Sequence, residues 1–448
     1  MDKSFALISL GCAKNLVNSE QMIYLMTEAG YTLVSEPDGA DLVIVNTCGF
    51  IDAAKSEAID SILEMAELKK AGRLGGIIVT GCLSERYKDS ITDELPEIDT
   101  VLGVGSFGEI VKAADAVMAG RRLSLFGDQS APIEEIPRVI STGPGWAYLR
   151  IAEGCNNFCA FCAIPFIRGR YRSRKMEDIV DEAKELAARG VKELIVIAQD
   201  ITRYGTDLYG KRSLAALCRE LAKIDGVEWI RLHYLYPDQF DDELIDELAS
   251  NDKIVKYLDI PIQHIDDGIL KKMNRRGNSK YLKALLTKLR DRIPGLVLRT
   301  SLITGLPGEG EKEFEALCDF LREYKLERVG AFAFSPEEGT RAAKMEYPDA
   351  EVARQRADVV EEIQSRIMDE WNESMMGKKL QVLCEGYDAD EECWYGRTFA
   401  DSPDIDGRIL FDSEEELTPG DYVTVEVTDA CDGELIGVME DAENDDCE

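Results

Sequence analysis

Short apolar runs alternate with amphipathic stretches three times in the first part of the chain. Phe5–Leu10 is the first run and ends at Gly11-Cys12. Asp41–Asn46 is the second and leads to Thr47-Cys48, and Gly76–Thr80 leads to Gly81-Cys82. Helical periodicity fills Asn15 to about Glu28, closed by Gly30, and then Asp52–Lys70. Apolar runs separated by helices predict a parallel sheet covered on both faces. The first domain, residues 3–115, is therefore expected to be α/β. All three cysteines would then lie at carboxyl ends of strands, the edge where open α/β sheets bind ligands.

Residues 116–140 are rich in turn formers, with Gly127-Asp128-Gln129-Ser130-Ala131-Pro132 at their centre, and are expected to be a linker. Alternation resumes over 141–376. Strands are predicted at Ala147–Ala152, Glu193–Ala198, Trp229–Tyr234, Tyr257–Ile262, Leu296–Ile303 and Arg328–Phe334. Between them lie helical patterns such as Met176–Arg189, closed by Gly190, and one that Ser279 should cap. Six β/α units predict an open partial barrel, (β/α)6, rather than a closed eightfold one. A long helix from Ala350 to about Met376 should present Val352, Val359, Ile363, Ile367 and Trp371 as its apolar side. From 377 to 442 the pattern changes to short strands, Leu380–Leu383, Trp394–Phe399, Arg408–Phe411 and Asp421–Val427, which predict a small antiparallel β-barrel. Residues 443–448 read as an acidic tail.

Composition narrows the class. The chain has 448 residues, 45% of them hydrophobic, yet no apolar run reaches the roughly 18–20 residues of a membrane span. No signal-peptide pattern is visible, so a cytoplasmic protein without membrane attachment is expected. The net charge of −34 disfavours nucleic-acid phosphates and suits a basic partner. Twelve cysteines in such a chain do not read as a disulfide framework. Cys218 and Cys318 sit on apolar helix faces and are expected in the core, whereas Cys384, Cys393, Cys431 and Cys447 carry no assigned role.

The chemistry is concentrated in Cys155-x-x-x-Cys159-x-x-Cys162, three thiols with no fourth cysteine or histidine nearby. A closed zinc site takes four ligands, as does an ordinary 4Fe–4S cluster. Three ligands leave one iron open, the arrangement needed to hold and reductively split S-adenosylmethionine (SAM). Cys12, Cys48 and Cys82 form a second set of three, spaced 34–36 residues apart, and predict a second open cluster. Gly305–Glu309 lacks the Gly-Lys-Ser/Thr of a phosphate loop.

These motifs together resemble the radical-SAM methylthiotransferases over nearly the whole chain. Ser9-Leu10-Gly11-Cys12-Ala13-Lys14-Asn15, Asn46-Thr47-Cys48-Gly49-Phe50 and Thr80-Gly81-Cys82 are similar to that family's three N-terminal motifs. Cys155, Cys159 and Cys162 match its radical-SAM motif, and Arg299–Glu309 its later barrel motif. The resemblance implies a flavodoxin-like N-terminal domain, a radical-SAM barrel and a C-terminal TRAM barrel. It also implies two 4Fe–4S clusters, an auxiliary one on Cys12, Cys48 and Cys82 and a SAM-binding one on Cys155, Cys159 and Cys162. The implied reaction uses two SAM molecules to convert a C–H bond into C–S–CH3, with electrons from a donor such as flavodoxin.

Two branches share that machinery. One, of the MiaB type, modifies a tRNA adenosine; the other, of the RimO type, modifies the β-carbon of an aspartate in small-subunit ribosomal protein twelve. Residues 378–448 hold four basic and 23 acidic residues, a net charge of −19. Such a barrel repels RNA and attracts a basic ribosomal protein, free or within the ribosomal subunit. Gly396–Gly407 and Gly330–Thr340 also resemble the aspartate-modifying branch. That branch is the expected one, with no direct tRNA substrate; a non-enzymatic iron–sulfur electron carrier would normally close its clusters with four ligands. Position alone puts Gln199, Asp200, Gln263, Arg299 and Ser301 near a SAM pocket. His233 and His264 read as hydrogen-bonded barrel residues.

Overall fold

The computed structural model describes residues 3–431 and 433–440; the expected tail at 443–448 and Cys447 lie outside them. The N-terminal strands are β1 (Lys3–Ser9), β2 (Tyr31–Leu33), β3 (Leu42–Thr47), β4 (Ile77–Gly81), β5 (Thr100–Leu102) and β6 (Leu123–Leu125). All pair in parallel, in the order β2-β1-β3-β4-β5-β6. The first five follow the flavodoxin-like 2-1-3-4-5 winding. β3 is buried throughout, which is why its sequence is a continuous apolar run. Ile62 and Met65 of helix α2 (Asp52–Lys70) cover one face, and Met22 and Met26 of helix α1 (Ala13–Glu28) cover the other. β6 lies inside the stretch expected to be linker. Three half-buried or exposed edge residues are too few to give a hydrophobic signal.

The central sheet contains β7 (Trp146–Arg150), β10 (Glu193–Ile197), β11 (Trp229–Leu232), β12 (Ile254–Asp259), β13 (Val297–Thr304) and β14 (Arg328–Ala333). Its order β14-β13-β12-β11-β10-β7 is an open, all-parallel six-stranded array. A two-stranded ribbon, β8 (Ala152–Glu153) with β9 (Arg172–Ser173), brackets the cysteine loop. Two expectations change here. Asn278, not Ser279, caps the helix Ser279–Arg292, its side chain accepting from the Tyr281 N–H at 2.9 Å. In the long helix Ala350–Glu373, Val352 and Val359 are exposed while Ala353, Ala357, Val360, Gln364 and Ile367 are buried. Small residues win that face because it must approach closely: a Cβ on Gly305 would lie 2.4 Å from the Ala353 Cβ.

The C-terminal strands are β15 (Lys379–Asp388), β16 (Cys393–Arg397), β17 (Ile409–Asp412), β18 (Tyr422–Cys431) and β19 (Glu434–Met439). They close a barrel in the order β15-β16-β17-β19-β18. β19, unanticipated in the sequence, pairs in parallel with β17, where the other ladders are antiparallel. The loop after β16 buries Ala400 against Trp146, Tyr148, Trp229 and Tyr257. Trp146, Glu193, Trp229, Val297 and Arg328 open their respective strands, so this loop floors the amino end of the open barrel. Its joint is ionic as well as apolar. Glu193, fully buried, accepts from Arg231 Nε and Arg397 Nη2, each at 2.7 Å, and Arg328 pairs with Asp401 at 3.0 Å.

Candidate functional site

The N-terminal thiols converge because glycine precedes two of them. Cys12 is the N-cap of α1, Cys48 follows β3 directly, and Cys82 opens helix α3 (Cys82–Tyr87). Gly11 has φ +94°, and a Cβ there would sit 2.8 Å from the Cys48 Cβ. Gly81 has φ +100°, and a Cβ would sit 2.4 Å from the Thr47 carbonyl oxygen. Only glycine accepts that backbone and that approach. Asn15 fastens the set: its Nδ2 donates to the Leu10 and Thr47 carbonyls, each at 2.9 Å. Burial would raise the Cys12 thiol pKa, but Lys14 and Arg168 outweigh it and hold it below the usual value. Burial pushes Cys48 up to about 11 and raises Cys82 as well.

The second triad follows the first barrel strand, at the carboxyl face. Gly154 (φ +77°) leaves room for the Arg170 carbonyl oxygen, which a Cβ would meet at 2.2 Å. The loop is held by Cys155 N–H to Gly169 O (3.2 Å), Ala160 N–H to Met273 O (2.9 Å) and Asn157 Nδ2 to Asp200 (2.9 Å). Arg275 Nη1 lies 3.5 Å from Cys159 Sγ. Burial pushes Cys155 up to about 11, and raises Cys162 further with Cys159 adding to it. Among the described residues no three His, Cys, Asp or Glu groups converge tightly enough for a single metal ion. The cysteines of both triads are free thiols. Both donor sets are thiolate sulfur, the ligand type of iron–sulfur clusters.

Arg168 joins the two halves. Its Nη1 grips Glu153 at 2.9 and 3.0 Å and its Nη2 donates to Asn15 Oδ1 at 2.6 Å. Burial would raise the Glu153 pKa, but Arg168 and Arg150 bring it down to about 2. A cavity of 590 Å³ lies between the N-terminal domain and the barrel. Phe50 and Ile51, just after Cys48, form one wall, and Phe161, next to Cys162, forms another. Gln263, Ser301, Ile303, Ala331, Phe334 and Glu337 from the barrel complete it.

The five side chains expected near a SAM pocket divide three ways. Gln263 and Ser301 line the cavity. Asp200 is fully buried and Gln199 lies 3.4 Å from Glu153, both beside the Cys155–Cys162 loop. Arg299 is absent from the cavity wall: it pairs with Asp259 at 2.9 Å and with Asp406 of the C-terminal loop at 3.8 Å. An arginine on a strand interior follows the nearest carboxylates, here one on the neighbouring strand and one from the loop below. His233 meets Ser402 at 3.1 Å, and His264 Nδ1 accepts from the Asp266 N–H at 3.0 Å. Cys218 and Cys318 are core residues. Sequence reading missed Arg86, Arg168, Arg275 and Glu337. Only Arg168, within Arg168-Gly169-Arg170 beside the cysteine loop, carried a local signal.

Family profiles match in three segments: an uncharacterized protein family over residues 4–103, the Radical SAM superfamily over 149–321 and a TRAM domain over 376–439. A curated relative from Lachnoclostridium phytofermentans, named ribosomal protein uS12 methylthiotransferase RimO, is 51% identical across 97% of this chain and 99% of its own. The chain belongs to the RimO family of radical-SAM methylthiotransferases. A second RimO relative, from Acetivibrio thermocellus, is 47% identical over 98% of both chains. RimO membership makes the three domains one enzyme, a transferase of sulfur-containing groups. Among solved structures, the radical SAM methyltransferase TsrM from Kitasatospora setae, with cobalamin and a 4Fe–4S cluster bound, superposes at TM-score 0.57 over 76% of this chain and 77% of its own. At 15% identity that likeness concerns the fold alone. No described helix of this RimO-family chain is long and apolar enough to cross a membrane.

Proposed function

We propose that the chain adds a methylthio group to the β-carbon of an aspartate in ribosomal protein uS12, using two SAM molecules and two 4Fe–4S clusters. Cys155, Cys159 and Cys162 would hold the SAM-binding cluster, and Cys12, Cys48 and Cys82 the auxiliary one. The observation that carries this reading is the cavity whose walls adjoin one cysteine of each triad. The bound clusters supply one-electron SAM cleavage and a sulfur donor, chemistry that acid–base side chains cannot supply at an unactivated C–H. The chain's own residues do the rest. Arg168 and Lys14 place positive charge beside Cys12 and favour its thiolate. Arg275 Nη1 points at Cys159 Sγ from 3.5 Å. Ile303, Ala331 and Phe334 give the cavity an apolar lining, which keeps water from a reactive carbon radical. Gln263 and Ser301 are among the polar groups there and can orient a substrate or SAM.

The C-terminal barrel supports a basic protein substrate over RNA, since it carries a net charge of −19 over residues 378–448. A one-electron donor of the flavodoxin type would complete the system. The test is to delete the gene and measure the mass of uS12. Loss of the methylthio increment is expected; an unaltered, still modified aspartate refutes the assignment, and loss of a tRNA methylthio group instead would favour the adenosine-modifying branch.

A further inference from the structure

Arg86 lies outside both triads and does not line the cavity, yet it touches both the Cys48 loop and the barrel segment Glu337-Glu338. It sits four residues after Cys82 in α3, so it projects from the same face of that short helix. Its Nη1 donates to the Gly49 carbonyl oxygen at 2.9 Å, one residue beyond Cys48, and to Glu337 Oε2 at 2.6 Å. Its Nη2 donates to the Glu338 carbonyl oxygen at 2.9 Å. Glu337 follows β14 in the barrel and is itself a cavity wall. It is 2% exposed and takes a second cation, Lys55 of α2, at 3.0 Å, while Ser335 Oγ donates to its other oxygen at 2.6 Å. One guanidinium therefore ties the Cys82 helix and the Cys48 loop to the barrel edge that faces them.

We propose that Arg86 is a positioning residue that sets the gap between the two thiol triads, with Glu337 as its anchor. The inference rests on the two-cluster reading above. A planar guanidinium reaches these three oxygens from two nitrogens in a rigid fork, whereas a lysine would have to gather all three around a single ammonium. Because a displacement of about 1 Å between reacting groups can lower a rate roughly a hundredfold, the latch should govern the sulfur-transfer half of the reaction more than SAM cleavage, which belongs to the other triad.

The test uses R86M, R86K and E337Q in the full chain. In reconstituted protein, iron content and 5′-deoxyadenosine formation by R86M should stay within about twofold of wild type. Methylthiolated product per deoxyadenosine should fall roughly ten- to a hundredfold. R86K should share the loss, as should E337Q. In cluster-free protein, R86M should speed amide exchange over residues 48–55 and 335–340 while leaving β10 to β12 unchanged. An unchanged product ratio overturns the proposal. So does R86M losing iron, SAM cleavage and product together, which would mark a merely structural role. A wild-type protein that cleaves SAM without modifying uS12 would refute the parent reading instead, and the exchange experiment would still decide whether the latch exists.

Discussion

Replacing Arg397 by methionine should loosen the C-terminal barrel from the radical-SAM barrel. Arg397 is 3% exposed and Glu193 is fully buried. The guanidinium serves Glu193 through Nη2 at 2.7 Å, Glu385 through Nε at 2.7 Å and the Asp401 carbonyl oxygen through Nη1 at 3.3 Å. Its carbon lies 5.4 Å from the Trp146 ring centroid. Methionine keeps the apolar bulk but leaves Glu193 with Arg231 alone and removes the cation beside Glu385. Removing one partner of a buried pair costs about 3–5 kcal/mol, a shift of about two to three and a half orders of magnitude in the docked population. Glu385 is the less protected partner, 17% exposed, so water recovers part of its loss and the lower end of that range is expected. The assay is urea unfolding followed by tryptophan fluorescence, since Trp229 contacts Tyr422 across the joint at 4.8 Å. Amide exchange over residues 398–406 gives the local readout. R397M should show an early transition and faster exchange in that loop. In a double-mutant cycle with E193Q, the two changes should be strongly non-additive. A midpoint within about 0.5 kcal/mol of wild type, or additive single changes, would refute the claim that this joint is electrostatically held.

Three further outcomes are expected. C48A should reduce reconstituted iron from about eight to about four per chain while leaving SAM cleavage in place; chemical iron and sulfide analysis checks this, and unchanged iron would remove Cys48 from the ligand set. His233 is held well below its ordinary pKa by burial and then by Arg231, so it stays neutral in the fold. The unfolded chain takes up that proton below about pH 6.5, so stability should fall with decreasing pH there by up to about 1.4 kcal/mol per unit, and H233N should flatten that slope in pH-dependent denaturation. Raising ionic strength from about 0.1 M to about 1 M, which shortens the Debye length from about 10 to about 3 Å, should slow association with uS12 at least roughly tenfold; stopped-flow binding that ignores salt would argue against an acidic docking face.

β3 and β4 were legible because each is a fully buried, mostly apolar run that leads to a cysteine. The edge strands β2 and β6 and the buried inner strand β5 were not: three residues leave no period to read. The long helix misled for a related reason. Its valines were the conspicuous apolar residues, but close approach to Gly305 selects Ala353 instead. Cysteine ligands are visible as a spacing within one loop and as a repeated strand end across three. Arg86, Arg168 and Glu337 are not visible that way. Their partners are hundreds of positions away or in another domain, as with the 251 residues between Arg86 and Glu337. Arg299 was placed by strand position alone, and the carboxylates that claim it, Asp259 and Asp406, include one from a different domain.

The loop that floors the barrel changes what kind of object the C-terminal domain is. A recognition module on a flexible tether samples a volume, and its distance from the reacting carbon is an average. This one shares buried ion pairs and a tryptophan–tyrosine contact with the catalytic barrel, so a target seated on its outer face lies at a fixed bearing from the cavity. Specificity can then be metric as well as electrostatic: among equally basic proteins, only one whose aspartate stands at the right reach from its docking segment would be modified. The same joint means that the barrel does not stand as a separable catalytic core. Without the loop, Arg328 would lose Asp401, Arg299 would lose Asp406, and Arg231 would lose the Thr398 and Phe399 carbonyls at an open amino end.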